Sequence, residues 1–344
     1  MISNQLNNVL KQYFDEELLV NVSVSIINSG LINDTYKIAV NNELFILQKI
    51  NKKVFADPSN IQSNIHVITS FFEENNVDFV YPLIFKSKSN NLYFIDQHMN
   101  YWRMFKYIPK AESLNKLGST SQAYFAAKLV GDFHCSLLNF NTQFLLPSIE
   151  GFLNFKQRFI DFESAENNAD SILLKKANVY IQFIIENEFI LSNYLNVEKK
   201  LPLRVIHADT KIGNFLFNVK SGSPIALIDY DTLMLGPLIY DFGDMIRSFT
   251  NLKKEDEQSK GSYFSLETYK HIKSGYIESV EGHVDEIEYN HLDLAAKAVV
   301  YVQCLRFFTD YLNGSVYYKV DDHNHNLRRA HNQMQLLTEM IEFI

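Results

Sequence analysis

Asp209, Asn214 and Asp229 are the residues of this 344-residue chain whose types and spacing best suit chemistry. All three lie in the stretch from Arg204 to Asp231, RVIHADTKIGNFLFNVKSGSPIALIDYD. Val205 and Ile206 end a short apolar run, and a polar loop follows from His207 to Gly213. Two further apolar runs, Asn214 to Phe217 and Ile225 to Asp229, flank the turn signal Lys220-Ser221-Gly222-Ser223. Such a pattern predicts a β-hairpin. With the turn centred between Ser221 and Gly222, Asn214 is expected opposite Asp229, their Cβ atoms within about 5.5 Å. An amide and a carboxylate held together suit Mg²⁺, which takes few protein ligands and completes its shell with phosphate oxygens and water. Asp209 stands five residues before Asn214, in the loop leading into the same strand. An Asp that takes a hydroxyl proton and an Asn that binds metal are the parts of a phosphoryl-transfer loop. The spacing therefore predicts Asp209 as base, with Asn214 and Asp229 on the metal. Lys211, between them, either adds positive charge beside the phosphates or faces solvent.

Asp241-Phe242-Gly243 spells a kinase metal motif, but it lies beyond Gly236-Pro237 and off the predicted hairpin. Asp241 and Asp244 are expected instead to cap or salt-bridge a helix beginning near Phe242. His134 sits on an apolar helix face and is expected in the core. Arg306 interrupts the apolar run Val299 to Phe308, where a cation is costly to bury without a partner. It serves either a structural salt bridge or the hydrogen bonding of a polar substrate.

These residues need a scaffold. Helical spacing over 3–18 precedes predicted strands at Val22–Ile27, Thr35–Val40 and Leu44–Ile50, with Asn41-Asn42 as a tight turn. The loop between the first two strands holds Gly30 and suits backbone contacts to nucleotide phosphates. The third strand should carry the phosphate contact. Gln48 and Lys49 point to opposite faces, and alternation alone leaves the choice open. Asp57-Pro58 opens a helix to about Glu74. Strands are expected at Val80–Phe85, Leu92–Ile95 and Trp102–Tyr107, completing a mixed sheet. Tyr107 and Ile108 begin the crossing to a helical region and would meet an adenine through their backbone. Helices are expected at Tyr124–Phe140, Phe152–Phe162, Ser171–Tyr194, Phe242–Thr250, Leu266–Ser279, Val284–Phe308 and Asn326–Phe343. Residues 1–108 thus read as one lobe and 109–344 as another.

A net charge of −8 without a basic cluster argues against nucleic-acid binding. Cys135 and Cys304 read as reduced packing residues. No run of about 18 uncharged apolar residues suggests a membrane span, and no apolar signal core stands at the N-terminus. A cytoplasmic monomer acting on a small molecule is expected.

The motifs together resemble the aminoglycoside phosphotransferase/choline kinase superfamily, and more narrowly the N-acetylhexosamine 1-kinase group. H-A-D-T-K-I-G-N with I-D-Y-D-T carries the resemblance. G-L-I-N-D-T-Y, F-I-L-Q-K-I-N, Y-W-R-M-F-K-Y-I, Y-D-F-G-D-M-I-R and L-R-F-F-T-D-Y-L-N-G-S-V-Y-Y extend it nearly end to end. It implies an α+β, bilobal protein-kinase-like fold, with an N-terminal mixed β-sheet lobe and a larger, mainly helical C-terminal lobe. It also implies ATP and Mg²⁺ as cofactors and the anomeric hydroxyl of N-acetylglucosamine or N-acetylgalactosamine as acceptor. On matching positions, Asp209 is the base, and Asn214 and Asp229 are the metal ligands. Gln48 is favoured as the inward-facing residue of its strand. Arg306, Tyr317 and Asp231 are expected around the acceptor. A choline kinase would want an aromatic cage, and the single Trp, Trp102, lies in the N-terminal lobe instead.

Overall fold

The computed structural model describes residues 4–27 and 32–344, so Gly30 lies outside the described residues. After the short helix α1 (Asn4–Leu10), strands β1 (Ser23–Ile27), β2 (Asp34–Val40) and β3 (Glu43–Lys49) form a meander. Asn41 and Asn42 take φ of 46° and 68°, the left-handed pair that a two-residue hairpin needs. Helix α2 (Pro58–Glu74) follows, with Pro58 in its first turn and the Asp57 carboxylate accepting from the Ser59 N–H. Strands β4 (Phe94–Ile95) and β5 (Tyr101–Lys106) complete a five-stranded sheet in the order β1-β2-β3-β5-β4, with antiparallel pairing throughout.

Alternation sorts this sheet into two faces. Ile38, Val40, Phe45, Leu47, Trp102 and Met104 pack on Val9, Leu10, Tyr13 and Phe14 in a closed cluster. On the opposite face Phe105 joins the main core, together with Ile61, Ile65, Ile68 and Phe72 of α2. Gln48 and Arg103 share that second face. The expected strand Val80–Phe85 does not form. Pro82 cannot donate to a ladder, and only isolated bridges, Val80 to Ala226 and Ile84 to Phe105, remain.

The rest of the chain is mainly helical. The short strand β6 (Ala111–Ser113) leads to α3 (Thr120–Ser136), α4 (Phe155–Asn168), α5 (Ser171–Glu186) and α6 (Glu188–Glu198). The single helix expected over 171–194 is broken at Asn187, whose Nδ2 donates to the Phe183 carbonyl and ends α5. Strands β7 (Arg204–Ile206), β8 (Phe215–Asn218), β9 (Pro224–Leu227) and β10 (Met234–Gly236) are short. Pairing of β7 with β10, and of β8 with both β6 and β9, makes two small sheets. Helices α7 (Ile239–Phe249), α8 (Leu266–Val280), α9 (Glu286–Tyr289), α10 (Leu292–Leu312) and α11 (His325–Phe343) complete the chain. Gly243, the glycine of the kinase-like Asp-Phe-Gly, lies inside α7. A Cβ there would stand 2.8 Å from the Ala295 carbonyl oxygen, so it is a packing glycine between α7 and α10. No helix among the described residues is long and apolar enough to cross a membrane.

Candidate active site

The loop between β7 and β8 is held from below by Asp241. This residue is fully buried in the first turn of α7. Its Oδ2 accepts from the His207 N–H and its Oδ1 from the Ala208 N–H, both at 2.7 Å. Asp241 Oδ2 also meets His134 Nε2 at 2.9 Å, and His134 Nδ1 meets the Tyr276 hydroxyl at 2.9 Å. His134 is thus buried as expected, with a partner that only the fold reveals. Thr210 Oγ1 donates to the Asp241 carbonyl at 2.6 Å. These bonds hold Ala208 at φ 63°, a left-handed conformation that costs a non-glycine residue about 1–2 kcal/mol. Asp241 was expected to serve its own helix; its carboxylate instead fixes a loop 34 residues earlier. Asp244 keeps the expected ion pair with Arg247, at 2.8 Å.

His207 is fully buried, and burial lowers its pKa, so the neutral ring is favoured. Its Nε2–H donates to the Ile228 carbonyl at 2.9 Å and its Nδ1 accepts from the Asp209 N–H at 3.2 Å. The ring therefore ties the loop to the end of β9. Asp209 is half-buried. Its Oδ2 accepts from Lys211 Nζ at 2.6 Å and from Asn214 Nδ2 at 2.8 Å, while no donor among the described residues reaches its Oδ1. Burial would raise the Asp209 carboxyl, but Lys211, His207 and Asn214 together hold it below the usual range. Burial likewise opposes the Lys211 charge, and Asp209 and Asp229 outweigh it and raise that amine. Lys211 thus faces the site.

The hairpin register differs from expectation by one residue at the critical place. Phe215 pairs with Leu227, and the Ile228 N–H donates to the Asn214 carbonyl at 2.8 Å, so Asn214 stands opposite Ile228 rather than Asp229. The cause lies in the turn. The Asn218 side chain accepts from the Lys220 and Ser221 N–H groups, Gly222 takes φ 71°, and a bulge falls between Leu216 and Phe217. Asp229 comes one residue later, past the strand, at φ 66° and ψ 60°. No hydrogen bond or ion pair reaches its carboxylate among the described residues. Burial first, then repulsion from Asp231 and Asp209, pushes it up to about 7, against Lys211 and Arg103.

Asp231, expected around the acceptor, is found in a buried ion pair with Arg103. It is 2 % exposed and both its oxygens meet the Arg103 guanidinium, Oδ1 to Nη1 at 2.5 Å and Oδ2 to Nη2 at 2.9 Å. A bidentate pair of this kind, with Asn33 Nδ2 on the same Oδ2 at 2.8 Å, commits the carboxylate to partners within the chain. Arg103 Nε donates to Gln48 Oε1 at 2.9 Å, so Gln48 faces this buried network while Lys49 shares the face of Phe45 and Leu47. Arg103, a cation flanked by Trp102 and Met104 in a strand, is as costly to bury without a partner as Arg306, and that is the signal in the sequence that marks it. At the crossing between the regions, the Tyr107 N–H donates to the Leu44 carbonyl at 3.1 Å.

Arg306 and Tyr317 do come together. With Arg158, Asp161, Thr309 and Tyr318 they line a cavity of about 310 Å³. The Arg306 guanidinium lies over Phe152 and Tyr318, at 5.9 and 5.7 Å, and forms no ion pair among the described residues. Asp310 braces the loop below it by accepting from the Tyr317 and Tyr318 N–H groups at 2.8 and 3.0 Å. Phe152 also packs edge-on against Tyr240, whose hydroxyl lies within electrostatic range of both Arg306 and Asp209.

Residues 23–264 match the model of the phosphotransferase enzyme family. The chain belongs to that family. Solved structures share its fold at low identity. A microcompartment-associated aminopropanol kinase aligns at a TM-score of 0.69 and 15 % identity, over 98 % of this chain and 97 % of that one. A spectinomycin phosphotransferase in complex with ADP and spectinomycin aligns at 0.62 and 13 %, over 99 % and 97 %. Choline kinase from Cryptosporidium parvum Iowa II aligns at 0.57 and 17 %, over 98 % and 96 %. This phosphotransferase therefore has the α+β, bilobal, protein-kinase-like architecture.

Proposed function

We propose that this phosphotransferase is an ATP-dependent kinase of a small molecule, and that its acceptor is the anomeric hydroxyl of an N-acetylhexosamine. On this reading residues 1–108 are the nucleotide-binding lobe and 109–344 the catalytic and substrate-binding lobe. Gln48, Gly30 and the backbone of Tyr107 and Ile108 serve the nucleotide. Asp209 Oδ1, without a donor, receives the acceptor hydroxyl, while Lys211 and Asn214 hold Oδ2 and fix the plane of the carboxylate. As the new oxygen–phosphorus bond forms and the bond to the ADP oxygen breaks, the hydroxyl proton passes to Asp209. Lys211 stays protonated beside the phosphates.

The donor set suits a hard cation. Asn214 Nδ2 is held by Asp209, leaving its amide oxygen to a ligand, and the Asp229 carboxylate has no donor among the described residues. Those two residues would hold Mg²⁺, which would neutralise charge on the β and γ phosphate oxygens. Among the described residues no three carboxylate, His or Cys side chains gather to form a metal cage. That fits an ion whose remaining ligands are phosphate and water.

The observation that carries the acceptor class is Arg306. Its guanidinium has no carboxylate partner among the described residues, lines the cavity and lies over Phe152 and Tyr318. Those rings are thereby closed to a quaternary ammonium, and a second cation, Arg158, lines the same wall. Such a surface favours a neutral acceptor rich in oxygen over an amino alcohol. The rival is a kinase of another small alcohol, the kind of acceptor named for the aminopropanol and choline kinases.

ATP consumption measured over N-acetylhexosamines, hexoses, choline, aminopropanol and aminoglycosides separates the readings. Turnover with N-acetylglucosamine or N-acetylgalactosamine, and phosphorus NMR placing phosphate on the anomeric carbon, are expected. Turnover confined to the cationic acceptors would replace this reading by its rival. Tight Mg-ATP binding with no turnover on any acceptor would point to a non-catalytic nucleotide-binding protein.

A further inference from the structure

Five side chains close a ring between the sheet and the turn after β9. Arg103 holds both oxygens of Asp231 and, through Nε, Gln48 Oε1. Gln48 Nε2 donates to Thr35 Oγ1 at 3.1 Å, and Thr35 Oγ1 donates to the Asn33 carbonyl at 3.4 Å. Asn33 Nδ2 returns to Asp231 Oδ2 at 2.8 Å, and Asn33 Oδ1 accepts from the Asn51 N–H at 3.0 Å. Asp231 therefore meets β5 through Arg103 and the residue before β2 through Asn33, and Gln48 of β3 joins them by way of Arg103.

Asp229 lies between two anchors. Before it, the Ile228 carbonyl is tied to His207; after it, Asp231 is tied to Arg103 and Asn33. Between them Asp229 keeps a left-handed backbone and a carboxylate without donors. A buried ion pair is weak evidence for stability, since desolvation offsets its attraction, and fixing register is its best-attested use. Three donors in one plane serve here, a geometry that an arginine provides and a lysine does not.

We propose that Arg103, Asp231 and Asn33 form a strut that sets Asp229 at the distance from the sheet which a metal-bound nucleotide requires. Arg103 is then a positioning residue, and Asp231 is neither an acceptor contact nor a metal ligand. The proposal rests on the kinase reading above, in which Asp229 holds Mg²⁺.

The test is calorimetric titration of ADP into the full chain, once with Mg²⁺ and once with EDTA, for wild type, Asn33→Ala, Arg103→Lys and Asp231→Asn. Each variant should lose about tenfold in affinity with Mg²⁺ and stay within twofold of wild type in EDTA. Asp293→Asn is the stability control. It breaks a remote pair with Lys273, and should lower the melting temperature without changing either affinity. Asn33 is half-buried and outside the hydrophobic clusters, so Asn33→Ala carries the test if the other two variants fold poorly. Variants that fold and bind Mg-ADP as wild type does would overturn the strut. So would equal losses with and without Mg²⁺, the mark of a merely structural role. Wild-type protein whose ADP affinity ignores Mg²⁺ would overturn the kinase reading itself, and the strut with it.

Discussion

Around His207 to Asn214 most polar groups already have a partner inside the chain, whereas around Arg306 the donors face a cavity. Asp241 accepts from two backbone N–H groups and meets His134, His207 bridges Asp209 and Ile228, and Asn214 holds Asp209. Arg306 has no carboxylate partner among the described residues; it meets Gln303 Oε1 at 3.3 Å, the Tyr317 hydroxyl and two aromatic faces. A catalytic group must arrive pre-positioned, because a reacting atom misplaced by about 1 Å can lose about 10²-fold in rate. A recognition surface must keep its hydrogen bonds for the ligand, because an unpaired buried group discriminates strongly between ligands that do and do not satisfy it. Asp229 stands apart on the loop side: neither oxygen of its carboxylate has a donor among the described residues.

That exception yields the largest expected effect. Asp229→Asn removes a charge that repels Asp231 and Asp209 in the metal-free protein. Turnover should fall by about 10³-fold or more, within the range of a lost metal-dependent electrostatic term. The melting temperature of the metal-free protein should rise. A variant both inactive and less stable would place Asp229 on the structural side of the comparison.

Arg306→Ala should act on the other side. Loss of charged hydrogen bonds of about 1.5–3 kcal/mol predicts a rise of about 10–150-fold in KM for the acceptor, with nucleotide affinity unchanged. Steady-state kinetics with each substrate varied in turn would show it. A loss of nucleotide affinity instead would merge two regions that are separate here.

Asp241→Asn should have the smallest effect. The amide cannot accept from His207 and Ala208 as both carboxylate oxygens do, so one buried N–H loses its partner. About 1–3 kcal/mol of stability should disappear in denaturant unfolding, with about a tenfold fall in turnover as the loop loosens. An unchanged unfolding midpoint would mean that the loop does not depend on its floor.

The loop's chemistry was legible because Asp209, Asn214 and the strand carrying Asp229 are close in sequence. The pairing was less so, since the bulge at Leu216/Phe217 and the Asn218-capped turn depend on side-chain hydrogen bonds that hydrophobic pattern does not encode. Pro82 overruled an apolar run that read as a strand, and Asn187 broke a helix whose periodicity continued through it. Asp231 was expected around the acceptor on the strength of the resemblance alone. Its αL neighbour turns the chain so that the two carboxylates serve different partners. The floor under the loop was invisible because His134, Asp241 and Tyr276 meet only through tertiary packing. Their distances along the chain leave no local signal.

Asp209→Asn is the most direct test of the account. Asn preserves the shape of the side chain and its contact with Lys211 through the amide oxygen, yet cannot take a hydroxyl proton. Calorimetry should find Mg-ADP affinity within twofold of wild type, while turnover on the acceptor identified by the ATP-consumption screen falls by about 10³-fold. Near-full turnover in that variant would contradict Asp209 as the base.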